Sequence, residues 1–187
     1  MTGNWGWAII LVTLGLKLIF FPLNQQAAIS MNKMKKLQPE MNKIREKHKD
    51  DRMAQQQEIM KFMSAHKINP MKGCLPILPQ IPVFFAFYRV LSTSIELRQA
   101  PFMGWIQDLS VADPYYVTPL LLGVAMFLQQ KLTPNPSMDP AQAKMMLMMP
   151  VVFTVMMLGL PSGMVLYMLV NTIVSVAQQH WLNRKLA

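Results

Sequence analysis

Lys17 has the clearest capacity for chemistry, because it is the one charged side chain within the apolar run from Trp5 to Leu23. An ammonium held at membrane depth costs about 2.5–3.5 kcal/mol unless water or a counter-charge reaches it. Thr13, four residues before it, and Asn24, seven after it, share its face if the run is one helix. Gln80, Asn171 and Gln178, with Gln129, Gln130 and Gln179, add neutral amides to other apolar stretches. Singly, such amides clasp neighbouring helices; together they outline a polar interior. Every Asp and Glu lies outside the apolar runs, so no internal salt bridge is expected for Lys17. Two readings stand: the side chain snorkels to the headgroups, or it faces a wet recess and attracts negative charge on a visiting molecule.

Catalytic constellations are not evident. His48, His66 and His180 are scattered, without the His-Glu-x-x-His spacing of a zinc protease. Ser162, in Gly159-Leu-Pro-Ser-Gly163, lacks the nucleophile-elbow pattern and reads as part of a tight turn. The single cysteine, Cys74, allows no internal disulfide and reads as a small buried apolar residue. No glycine-rich phosphate loop occurs, so the chain is expected to be no enzyme and to need neither metal nor cofactor. Nineteen methionines supply either adaptable packing or a compliant apolar surface for varied hydrophobic segments.

The elements that must position these residues follow from where charge falls. Only 14% of the 187 residues are charged, against roughly 25% in soluble domains. The 24–74 segment holds 11 basic and 5 acidic residues, a net +6, and charge elsewhere is sparse. This pattern excludes a soluble globule and a disordered basic tail, and predicts an all-α polytopic membrane protein. Five transmembrane helices are expected, near Trp5–Leu23 with a kink at Pro22, Leu75–Leu91 with an irregular start at Pro76, Pro79 and Pro82, Tyr116–Gln130, Met145–Leu160 and Met164–Ala177. The third is short for a bilayer, a mismatch that local thinning is one way to accommodate.

Residues 1–23 thus form the first span, 24–74 a basic cytoplasmic helical hairpin, and 75–187 four more spans. These are joined by an external interfacial segment (96–115) and a cytoplasmic loop (131–144). The excess of Lys and Arg in 24–74, and Arg184 with Lys185 in the tail, places the hairpin and C-terminus in the cytoplasm and the N-terminus outside. Within the hairpin, Met31, Met34, Leu37, Met41 and Ile44 recur at helical spacing, and Met53, Ile59, Met60, Phe62 and Met63 form the facing set. Lys33, Lys35, Lys36, Lys43 and Arg45 supply a basic surface for nascent chain, ribosome or anionic lipid. Residues 1–7 carry no basic n-region, so a cleavable signal peptide is not expected.

Several stretches carry a family resemblance: Gly3-Asn-Trp-Gly-Trp, Pro22-Leu23, Leu37-Gln-Pro, Asn69-Pro70, Gly73-Cys74 and Gln80-Ile-Pro82. They continue in order with Glu96-Leu-Arg-Gln-Ala-Pro-Phe102, Asp108-Leu-Ser, Asp113-Pro-Tyr-Tyr, Gln129-Gln-Lys and Pro161-Ser-Gly. Over its whole length the chain resembles the YidC/Oxa/Alb membrane-protein insertases, specifically the five-span core of the Gram-negative bacterial members. The resemblance implies insertion and assisted folding of bacterial inner-membrane proteins, alone or beside the Sec translocon, with nascent membrane proteins, lipid and the ribosome as partners and no DNA. It implies a cytoplasm-open hydrophilic groove in which a cation attracts the polar or acidic tail of the substrate, and Lys17 stands where the family usually carries arginine. Lysine keeps the charge without the planar fork. Bacterial relatives of this type resemble the chain only after an upstream span and a large periplasmic domain, and nothing in these 187 residues corresponds to either. The competing reading is a small-anion transporter or channel using Lys17 as its anion site; it requires a second polar constellation or inverted repeats, which the sequence lacks.

Overall fold

The computed structural model describes residues 4–49, 51–69, 71–94, 97, 99–133 and 140–186. Asp50 of the expected hairpin turn, Glu96 and Arg98 of the segment expected to be external, Pro134 and Pro136 of the 131–144 loop, and the side chain of Cys74 lie outside the described residues. The described residues form nine helices and no strand: α1 (Trp5–Ile19), α2 (Phe21–Lys36), α3 (Gln38–Lys47), α4 (Arg52–Ala65), α5 (Met71–Cys74), α6 (Ile77–Thr93), α7 (Val117–Leu132), α8 (Pro140–Met157) and α9 (Ser162–Leu186).

The central helix is α9, against which α1, α2, α6 and α7 pack, while α8 packs on α7. Its N-terminal half is the most buried stretch of the chain: Ser162, Met164, Val165 and Tyr167 are all within 1% of full burial. Two apolar clusters form around it. One joins α1, α6 and α9 through Ile9, Leu91, Leu109, Met164 and Tyr167; the other joins α7, α8 and α9 through Leu122, Met157 and Val165.

The first apolar run does not stay straight to Leu23. It breaks at Phe20, and α1 and α2 meet at a bend of 62°. Pro22 falls in the first turn of α2, where its missing N–H costs nothing; the kink therefore precedes the proline. Lys17 consequently lies in the last turn of α1, where a cation also meets the negative end of the helix dipole. Pro76 caps α6, which tolerates Pro82 in its interior. Helix α8 begins at Pro140 and encloses Pro150, so part of the expected 131–144 loop is helical; proline suits a first helical position.

By length and composition, no single helix among the described residues suffices to cross a membrane, although α1 and α2 qualify together as a broken pair. Helices α6 and α7 and the Lys144–Met157 part of α8 are apolar but shorter.

The predicted hairpin periodicity corresponds to a real core. Met34, Met41, Ile59, Met63 and Ile68 are buried together, with Met31, Leu37, Ile44 and Phe62 around them. Pro39 restarts the helix in the first turn of α3, and Asp51 caps α4 by accepting from the amides of Met53 and Ala54 at 3.0 Å each. Met53 and Met60 of the second predicted set point outward, exposed to 75% and 65%, because α4 presents only its Ile59–Met63 stripe to α3.

The described residues of the 96–115 segment pack on the bundle with one side. Leu97, Ala100, Ile106 and Leu109 turn inward and complete the core between α1, α6 and α9, while Met103, Trp105 and Val111 stay exposed. Backbone amides of Ser162 and Gly163 donate to Val111 and Leu109 carbonyls at 2.7 and 2.9 Å, and the Ser162 hydroxyl donates to the Asp108 carbonyl at 2.9 Å. Satisfying the orphan amides of the α9 N-terminus in this way pins the segment over that end of the bundle.

Candidate functional site

A cavity of about 540 Å³ lies between α1, α2, α6, α7, α8 and α9. Each wall is one helix face. From α1 come Thr13, Leu16 and Lys17, with Phe20 at the break that follows, and from α2 Asn24, Ala27, Ala28 and Met31, both sets at i, i+3, i+4, i+7 spacing. The bend at Phe20 is what lets both faces address one space. Thr13, Lys17, Asn24, Gln80, Asn171 and Gln178 all line it, so the six residues singled out in the sequence come together although they derive from four helices.

Their roles in the wall differ. The Nζ of Lys17 donates to the Ser175 hydroxyl at 2.6 Å, and among the described residues no carboxylate lies within ion-pairing distance of it. Thr13 is buried, and its hydroxyl donates to the Ile9 carbonyl of its own helix at 2.6 Å; it has no proton left for a visiting anion. Gln80 donates to the Tyr167 hydroxyl, clasping α6 to α9. Tyr167 stacks on Phe87, with ring centroids 4.3 Å apart, and belongs to the apolar cluster beyond. The polar lining therefore ends at an apolar plug. The Gln178 side-chain nitrogen is buried without a partner among the described residues.

Tyr167, Ser175 and Leu182 of α9 also line the cavity, beside the expected Asn171 and Gln178. Tyr167, Asn171, Ser175, Gln178 and Leu182 repeat at 4, 4, 3 and 4 residues along α9, one continuous helical stripe. That periodicity is written in the sequence, where the hydroxyl of Ser175 falls in register with the amides of Asn171 and Gln178. Gln130, expected only as a general amide, donates to the Met146 carbonyl at 2.7 Å and ties α7 to α8.

The hairpin lysines sit elsewhere. Lys33, Lys35, Lys36 and Lys43 are exposed on α2 and α3, outside the cavity lining, and half-buried Arg45 donates to Asn42 at 3.3 Å. The hairpin is nonetheless tied to the bundle: Asn32 donates to the Asn183 side-chain oxygen at 3.2 Å, Gln179 donates to the same oxygen at 3.0 Å, and Asn183 donates to the Leu132 carbonyl at 3.3 Å. One amide thus joins α2, α7 and α9.

The family model described as 60Kd inner membrane protein matches residues 1–187. The chain is 56% identical over 186 residues to a membrane protein insertase YidC of Citrifermentans bemidjiense, covering 100% of this chain and 34% of that protein. It is 58% identical over 185 residues to the protein of the same name from Geotalea uraniireducens, covering 99% of this chain and 35% of the relative. Among solved structures, a crystal structure of active YidC insertase with its first transmembrane domain resolved superposes with a TM-score of 0.78 at 33% identity, over 94% of this chain and 41% of that one. The chain spans about a third of the length of these curated relatives. With the match unbroken from end to end, this all-helical chain belongs to the 60Kd inner membrane protein family, that of the YidC insertases.

Proposed function

We propose that the chain is the insertion core of a bacterial inner-membrane protein insertase, and that its cavity receives the polar or acidic tail of an incoming membrane protein. The observation that carries this reading is the cavity itself: a lone ammonium and several amides face one space, which ends on an apolar plug of Leu91, Leu109, Met164 and Tyr167. A tail that enters near Lys17 has a shorter dry path to cross. The same plug leaves a small-anion transporter without a polar route through the bundle.

In this reading α1, α6, α7, α8 and α9 are the five spans, with the hairpin and C-terminus cytoplasmic and the N-terminus periplasmic. Helices α6 and α7, of 17 and 16 residues, extend only about 25 Å at 1.5 Å per residue, against a hydrocarbon core of about 30 Å. Such mismatch favours a locally thinned bilayer. Helix α6 packs on α9 and α8 on α7, with at most marginal contact between α6 and α8. Their outward faces are apolar, as exposed Phe85, Leu78, Met148 and Val155 illustrate. A substrate span can leave between them into lipid, driven by burial of its own apolar residues. The exposed lysines of α2 and α3 support a role in meeting nascent chain, ribosome or anionic lipid, and the Sec translocon is a partner through the family likeness.

The test is insertion of a single-span substrate with an acidic translocated tail into proteoliposomes carrying Lys17→Glu, Lys17→Ala and Lys17→Arg. Glu abolishes insertion, Ala weakens it and Arg sustains it. Equal insertion by all three overturns the reading.

A further inference from the structure

We infer that Ser175 is a positioning residue, holding the Lys17 ammonium inside the cavity so that its charge is presented to the substrate tail rather than withdrawn to the headgroups. This deepens the proposed function and rests on it. The geometry is a relay of two bonds. Lys17 Nζ donates to Ser175 Oγ at 2.6 Å, and Ser175 Oγ donates to the Asn171 carbonyl, one turn earlier on α9, at 2.8 Å.

A hydroxyl has one proton and two lone pairs. With the proton committed to the Asn171 carbonyl, Oγ can only accept on its remaining side, so it is oriented for a cation and turned away from any incoming carboxylate. The back-bond to the carbonyl four residues earlier is a common resting place for a helical serine; what the relay adds is the long-range contact, across 158 residues of sequence, to α1.

The chemistry of the partner matters. A carboxylate at this position would neutralise Lys17 and compete with an acidic tail. A hydroxyl takes up one ammonium N–H while leaving the formal charge and two N–H groups for the visitor. The lysine stem is flexible, and Lys17 occupies the final turn of α1, from which an untethered side chain can reach past the bend towards the interface. The tether selects the conformer that faces the polar stripe of α9.

The experiment uses the full chain in proteoliposomes and single-span substrates whose translocated tails carry zero, two or four aspartates. Ser175→Ala lowers insertion of the four-aspartate substrate about tenfold, the scale of one hydrogen bond to a charged group. The loss shrinks with each pair of aspartates removed. Ser175→Thr, which retains both bonds, restores the charge dependence. Placed on Lys17→Gln, Ser175→Ala has no further effect on that dependence, as a double-mutant cycle reports for a residue acting through another. Equal losses for all three tails assign Ser175 a purely structural role and overturn the inference. It is also overturned if Lys17→Gln abolishes the dependence on tail charge while Ser175→Ala leaves it whole, a result that spares the proposed function. If Lys17→Gln itself leaves that dependence whole, both fail.

Discussion

The ring of Phe102 lies over Gly6 so closely that a β-carbon at that glycine would sit 1.9 Å from the ring's Cδ2. Asn4 secures the contact, donating to the Phe102 carbonyl at 2.6 Å while its side-chain oxygen accepts from the Gly6 amide at 2.9 Å. The 99–115 segment is thereby locked to the start of α1, as it is to the start of α9 through Ser162 and Gly163. Gly6→Ala should destabilise the protein by about 1–3 kcal/mol, the usual cost of overpacking, read as a lowered unfolding midpoint in detergent or nanodiscs. Combining it with Phe102→Leu should recover part of the loss; no recovery would mean the clash is relieved elsewhere.

Asp113 gives that segment a pH signature. Burial raises the pKa of its carboxyl, but donors from the Thr118 amide and hydroxyl, the Tyr115 amide and the Trp105 indole outweigh this and hold it below the ordinary value of 3.8. A folded pKa below the unfolded one means that the stabilisation is fully present above about pH 4 and is lost as pH falls through the depressed folded value. Thermal unfolding of the wild type should weaken below pH 4. Asp113→Asn should unfold at a lower temperature at pH 7 and lose that share of the acid dependence, by the loss of hydrogen bonds to charge worth about 1.5–3 kcal/mol each. An unchanged acid slope in the variant would assign the effect to other carboxylates.

Asn183 is where the hairpin meets the bundle, since Asn32 of α2 and the Leu132 carbonyl of α7 share its amide. Asn183→Leu should leave the helices folded and loosen α2, raising amide hydrogen exchange across Asn24–Lys36 several-fold while exchange in the buried first half of α9 stays slow. Uniform acceleration in both regions would show global destabilisation instead. Because Ala27, Ala28 and Met31 of α2 wall the cavity, a loosened α2 should also raise labelling of a cysteine placed at Asn171.

Much of this arrangement was legible from residue order. The stripe of Met31, Met34, Leu37, Met41 and Ile44 specified one face of the hairpin, since apolar spacing fixes a helix face irrespective of distant contacts. The amides of Gln80, Asn171 and Gln178 could be expected to converge because buried polar groups seek one another or water. Phe20 as the point of bending could not be read, because Pro22 draws attention two residues downstream to a position where proline is harmless. The inward packing of Ala100, Ile106 and Leu109 was hidden for a different reason. An irregular segment has no period, and its inside is defined only by the helix ends it covers. Ser175 lay between these cases: its stripe is periodic, but a lone hydroxyl in an apolar helix ordinarily bonds its own backbone, and only the approach of α1 reveals the second bond.

The hairpin surface yields the remaining test. Lys33, Lys35, Lys36 and Lys43 are exposed, and none of them lines the cavity, so their charge can be reversed without touching the site around Lys17. Each basic residue near an anionic surface contributes roughly 1 kcal/mol, about fivefold in affinity, and the effect decays within a Debye length. Replacing Lys33, Lys35 and Lys43 by Glu should therefore cut binding of ribosomes, or of anionic vesicles added to the nanodisc-held protein, by at least two orders of magnitude at low salt, and by much less at 0.5 M salt. Insertion of a substrate released from the ribosome and presented directly to the proteoliposome should fall far less than insertion during translation. That split would separate recruitment by the hairpin from passage through the cavity, and equal losses in both assays would show that the two are not separable functions of this chain.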